Sequence, residues 1–180
     1  AYYHLDQARA KGYTGKGVTI AMLDGEVDTG AVELSGASIS DKPQCTVTSS
    51  PHSKGHGTSV ASVLVSSAYG IAPEATLLTY RTASTEDGDQ AASDCQVGSQ
   101  LDKHKYAWLL NAAMNDGAQI INLSASSHSH SDELKWTIAR SMSQGAIITA
   151  AVGNDAQDDN DAALSKWSGV VGVSAIGVDS

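Results

Sequence analysis

Five short apolar runs, set apart by segments with helical spacing, restrict this chain to one broad class of fold. Residues 18–23, 75–80, 119–124, 146–152 and 170–176 have strand length and are rich in Val, Ile, Leu and Ala. A strand with one wet face alternates apolar and polar residues, and these runs are apolar nearly throughout. Between them, helical patterns are predicted over residues 3–11, 56–65, 103–115 and 132–143, and a shorter strand near 37–40. Strands alternating with helices predict an α/β fold: a mostly parallel sheet covered by helices on both faces. The 56–65 helix is expected to start at His56, after the polar stretch Ser53-Lys54-Gly55. Val60, Ala61, Val63, Leu64 and Val65 are too continuous for a surface helix, so burial on most sides is expected.

Composition narrows the partners. With 180 residues and 41% hydrophobic content the chain can bury a substantial core, so residues 1–180 read as one domain or most of one. A net charge of -9 argues against nucleic acid, whose phosphates need a basic surface. The longest apolar runs are far too short to cross a bilayer, so no membrane partner is expected. The opening residues lack the basic-then-apolar order of a secretory leader, which fits a processed secreted protein and an intracellular one alike. Cys45 and Cys95 either pair, which would favour an oxidising compartment and secretion, or stay free thiols.

Three polar residues stand at the ends of buried elements: Asp24, His56 and Asn154. In an open parallel sheet the carboxyl ends of the strands share one edge, so the three can converge there. An aspartate beside a histidine forms a base held in one tautomer, and an asparagine at a glycine turn can aim an amide N–H at a developing oxyanion. Taken alone, Asp24 followed by Gly25 is equally an ordinary turn cap.

The surrounding residues resemble those of subtilisin-like serine proteases. Val18-Thr19-Ile20-Ala21-Met22-Leu23-Asp24, with Val27-Asp28 after it, resembles their aspartate motif. His56-Gly57-Thr58-Ser59-Val60-Ala61 followed by Gly70-Ile71-Ala72-Pro73 resembles their histidine motif. Asp116-Gly117-Ala118-Gln119-Ile120-Ile121-Asn122-Leu123-Ser124 is similar to the strand beside their substrate cleft, and Ala150-Ala151-Val152-Gly153-Asn154 to their oxyanion motif. The resemblance implies a three-layer subtilisin-like fold, a peptide or protein substrate, and no cofactor. It implies that Asp24 orients His56, that His56 is general base and then acid, and that Asn154 donates to the oxyanion. Ser124, Ala125 and Ser126 would pair with the substrate backbone, Gly98 would stand on the opposite wall, and Gly153 and Asp155 would border the specificity pocket.

The pattern departs from the family at the nucleophile. The family's serine lies in a later Gly-Thr-Ser motif, which this sequence does not contain after residue 176. The resemblance therefore implies an N-terminal portion of a peptidase domain, completed by a C-terminal fragment that carries the serine, and inactive alone. Gly57-Thr58-Ser59 imitates the missing motif, but Ser59, one turn further in, is expected to pack inward into the helix surroundings. Glu26 adds a negative charge beside Asp24 and is expected to affect how His56 titrates. The short stretch 67–70 leaves little room for the calcium loop of many relatives, so no metal is expected there. His52 is expected in an exposed loop, because Pro51, Ser53 and Gly55 disfavour a helix. His128 and His130 are expected in a surface loop before a helix capped by Ser131 or Asp132. The competing functional reading is a non-catalytic protein of the same fold that binds peptides or serves as a scaffold.

Overall fold

A computed structural model of the chain describes residues 4–42, 50–82, 96–97, 100–101, 105–124, 131–153 and 164–174. In chain order its elements are α1 (Leu5–Ala10), β1 (Thr19–Asp24), β2 (Ser38–Asp41), α2 (Pro51–Val65), β3 (Thr76–Arg81), β4 (Gln96–Val97), β5 (Gln100–Leu101), α3 (Lys105–Asn115), β6 (Ile120–Leu123), α4 (Asp132–Ser143), β7 (Ile147–Ala151) and β8 (Val170–Val173). Six strands form one sheet in the order β2-β3-β1-β6-β7-β8, and every pairing in it is parallel. β4 and β5 form a separate antiparallel pair. Among the described residues, no helix is long and apolar enough to cross a membrane.

The two faces of the sheet follow from the two-residue period of a strand. Ala21, Leu23, Leu78, Tyr80, Ile121, Leu123, Ile148 and Ala150 point to one face, where α3 and α4 cover them with Leu109, Leu110, Leu134 and Ile138. Ile20, Met22 and Leu77 point to the other face and meet Ala61 and Val65 of α2. This is the expected sheet with helices on both faces. Among the described residues, the α2 face is packed over β3 and β1, with Ile39 of β2 and Ile120 of β6 partly buried against the same cluster. On β7 and β8 the same face carries Ile147, Val171 and Val173, each about half exposed (52%, 51% and 52%).

α2 differs from its expectation in two ways. It begins at Pro51 rather than His56, because the Ser50 hydroxyl accepts the Ser53 N–H at 3.0 Å and Pro51 takes the first helical position. His52 is exposed as expected, but in the first helical turn and not in a loop. Nor is the helix buried on most sides: only Ser53, Gly57, Ala61, Ser62 and Val65 are buried, while Val63 is 52% exposed. The run of small apolar residues serves close approach along one stripe. α4 is capped by Ser131, whose hydroxyl accepts the Leu134 N–H at 3.1 Å.

The connections have unequal hands. From β2 to β3, from β3 to β6 and from β6 to β7 the chain moves the same way across the sheet. α3 and α4 lie on one face and α2 on the other. Moves in one direction over opposite faces have opposite hands. Since strand twist makes about 98% of such crossovers right-handed, the β2–α2–β3 connection is the left-handed exception.

Candidate active site

β1 ends at Asp24, on the face that carries Ile20 and Met22, and α2 lies over that face. The carboxylate is 3% exposed. Its Oδ1 accepts the Gly25 N–H at 2.6 Å and meets His56 Nδ1 at 2.7 Å. A carboxylate only accepts hydrogen bonds, so Nδ1 carries the proton and Nε2 is the basic atom of the ring. The His56 side chain is 43% exposed against 4% for Asp24, so the base reaches solvent while its orienting group does not. His56 lies in the second turn of α2, where the helix rather than a loop fixes its backbone.

Two glycines let the loop after β1 lie on α2. A Cβ on Gly25 would stand 2.2 Å from the Ser53 carbonyl oxygen, and one on Gly57 would stand 2.6 Å from the carbonyl oxygens of Gly25 and Glu26. Thr58 adds a stitch: its hydroxyl donates to the Lys54 carbonyl at 2.7 Å and accepts the Asp28 N–H at 2.9 Å. On the other side of β1, the Thr82 N–H donates to the Asp24 carbonyl at 2.7 Å.

Charges around the pair alternate. Glu26 meets Lys54 Nζ at 3.4 Å through Oε1 and Arg81 Nη1 at 3.4 Å through Oε2. Arg81 Nη2 donates to Asp41 Oδ2 at 2.7 Å, and the Thr79 hydroxyl donates to Asp41 Oδ1 at 3.0 Å. The extra negative charge that Glu26 brings near Asp24 is thus flanked by two cations, Lys54 and Arg81. The composition near the motif contains these partners, but only the alignment of β1, β3 and α2 brings them together.

Ser124 sits one residue beyond the last β1–β6 register pair, Leu23 and Leu123, so it leaves the sheet beside Asp24. Its hydroxyl accepts from Asn122 Nδ2 at 2.8 Å, and Asn122 Oδ1 accepts from the Thr149 hydroxyl at 2.9 Å. Sequence reasoning missed this polar chain, although Asn122 and Ser124 fall two apart on one strand, as one face requires. Gly153 follows β7 with φ +97°, a conformation that favours glycine, and the preceding Val152 N–H donates to Val173 at 3.0 Å. Ser59 does not pack inward as expected. It is exposed, and its hydroxyl donates back to the Gly55 carbonyl at 2.9 Å rather than to His56. At the turn after α2, Arg9 donates to the carbonyls of Ala68, at 3.4 Å, and Gly70. Gly98, Ala125, Ser126, Asn154, Asp155, Cys45, Cys95, His128 and His130 lie outside the described residues.

Known proteins are similar to this chain over most of its length. The model of the Subtilase family matches residues 15–178. Subtilisin E of Bacillus subtilis (strain 168) is 24% identical over 195 residues, covering 97% of this chain and 46% of that protein. The major intracellular serine protease of the same strain is 27% identical over 163 residues, covering 83% of this chain and 47% of that protein. Among solved structures, a mutant of the protease domain of PatA superposes with a TM-score of 0.74 at 23% identity, covering 93% of this chain and 61% of that one. The prenylagaramide maturation protease PagA gives 0.63 at 25% identity, covering 84% and 51%. The chain thus spans about half the length of the curated relatives it matches.

Proposed function

Because the chain belongs to the subtilase family, we propose that it supplies the acid–base half of a serine endopeptidase. The observation that carries this reading is the 2.7 Å contact between a buried Asp24 and a half-exposed His56 at the carboxyl edge of the sheet. In the proposed reaction a serine hydroxyl attacks the peptide carbonyl and His56 Nε2 takes its proton. Asp24 holds the ring and stabilises the imidazolium that forms. Asn154 and backbone N–H groups hold the oxyanion, and His56 then returns the proton to the leaving amine. Ser124, Ala125 and Ser126 pair with the substrate backbone on one side and Gly98 lies on the other. Gly153 and Asp155 border the pocket for the side chain before the cut.

The hydroxyl comes, in this reading, from a further segment of the same protease, continuous or separate, that carries the serine. The uncovered face of β7 and β8 supports it. Ile147, Val171 and Val173 are half-exposed on the sheet face that α2 covers at β1 and β3, and burying the exposed half of each is worth about 1 kcal/mol. A segment seated there would lie on the same face of the sheet as the helix that holds His56.

Intact mass spectrometry of the native material after fluorophosphonate labelling tests the proposal. A labelled serine outside residues 1–180, or on a second polypeptide, supports it; material that takes no label refutes it and leaves the peptide-binding scaffold. His56→Ala in the full gene product should abolish labelling. The acidic residues Asp155, Asp158, Asp159 and Asp161 motivate a preference for Lys or Arg before the cut. Undiminished cleavage after basic residues in Asp155→Ala would remove that preference.

A further inference from the structure

Glu26 and Lys54 bridge the same two elements as Asp24 and His56. Glu26 stands two residues after Asp24, on the loop that leaves β1, and Lys54 stands two residues before His56 on α2. The Glu26–Lys54 pair at 3.4 Å therefore forms a second rung beside the 2.7 Å contact of Asp24 with His56. Glu26 also reaches Arg81 at the end of β3, and Arg81 reaches Asp41 at the end of β2. The chain of charges Asp41–Arg81–Glu26–Lys54 thus runs across the carboxyl edge of three neighbouring elements of the sheet and ends on α2.

Resting on the reading above, we propose that Glu26 is a positioning residue: it holds α2 at the end of β1 so that His56 Nδ1 stays on Asp24. Lone exposed ion pairs hold little, but these groups form a network, and the Glu26 and Arg81 side chains are only 26% and 23% exposed. The backbone alone does not fix the spacing. Gly25 and Gly57 permit the approach of loop and helix without enforcing it, since neither has a side chain to lock the other. The carboxylate of Glu26 draws both sides together, and Arg81 fixes that carboxylate to the sheet.

The test uses the full gene product and the variants Glu26→Gln, Lys54→Met and Lys54→Arg. kcat and KM on a peptide substrate are read beside the downfield proton resonance of the His56 Nδ1–H, with Asp24→Asn as the reference that removes it. Glu26→Gln should lower kcat about tenfold, because a base displaced by a fraction of an ångström loses rate steeply. KM should stay within about twofold, and the resonance should broaden or vanish. Lys54→Met should do the same, and Lys54→Arg should restore both readouts. Glu26→Gln with kcat and resonance unchanged overturns the proposal, as does a lower melting temperature with both readouts intact. If the wild-type protein neither cleaves nor labels, the protease reading fails, and the resonance alone then decides the positioning role. Its presence in the wild type and loss in Glu26→Gln supports that role, and its persistence in both overturns it.

Discussion

Replacing Gly57 by alanine sets two physical effects of opposite sign against each other. Alanine is the better helix former, and at an interior helical site the exchange should stabilise by about 1 kcal/mol. At residue 57 the new methyl would stand 2.6 Å from the carbonyl oxygens of Gly25 and Glu26. Ordinary contact begins near 3.4 Å, so loop and helix must separate by 3.4 − 2.6 = 0.8 Å. Added to the 2.7 Å between His56 Nδ1 and Asp24 Oδ1, that makes about 3.5 Å, beyond a useful hydrogen bond. Overpacking of this kind costs about 1–3 kcal/mol, which outweighs the helical gain. A base displaced by nearly 1 Å costs about a hundredfold in rate. Gly55 is the matched control: it lies in the same helix, and a Cβ there would meet nothing within 4 Å. In the full gene product we expect Gly55→Ala to raise the melting temperature slightly with labelling by fluorophosphonate unchanged. Gly57→Ala should lower the melting temperature and slow labelling about a hundredfold. Gly57→Ala that labels as fast as wild type would refute the close-approach reasoning.

Further outcomes follow from the same contacts. In the full gene product Asp24→Asn should leave the fold intact but hold His56 in the wrong tautomer, with kcat reduced about 10⁴-fold in a steady-state peptide assay. Ser50→Ala removes the cap that starts α2 and should cost about 1 kcal/mol in urea unfolding, since the Ser53 N–H loses its acceptor. Burial, and then the hydrogen bond from its hydroxyl to Asp116 at 2.6 Å, raise the Tyr80 phenol well above its ordinary pKa of 10.0. A folded pKa above the unfolded one gives stability that is complete below the unfolded value and is lost as pH rises past it. The urea midpoint should therefore fall as pH rises above about 10, and Tyr80→Phe should flatten that fall.

The layers of this fold were legible because they rest on local pattern. The nearly continuous apolar runs of β1 and β3 meant burial on both faces, and both are buried there. The end of β1 at Asp24 and the place of His56 on a helix were legible in the same way. What failed was local reasoning about a tertiary contact. Pro51, Ser53 and Gly55 argued for a loop before His56, and nothing local showed that Gly57 is glycine because the loop after β1 crosses it. The small residues of α2 looked like a buried helix, while Val63 faces outward and only one stripe packs. Glu26 looked like a surplus charge because Arg81 and Lys54 are distant in sequence or set on another element. Which strands lie side by side decides such pairings, and strand order is not written in periodicity.

The left-handed connection through α2 bears on the order in which the molecule assembles. Strand twist guides a right-handed crossover back onto the sheet, but it gives the β2–α2–β3 segment no such guidance. That helix gains its place only after β1 and β3 have paired and offered Ile20, Met22 and Leu77 as a surface. His56 travels with it. Asp24 and His56 are only 32 residues apart, so their meeting is delayed not by loop closure but by the wait for that surface to form. A partly folded chain would then have its sheet but no oriented base. The property that distinguishes this helix's path would thus keep the Asp24–His56 pair unformed until β1 and β3 have joined.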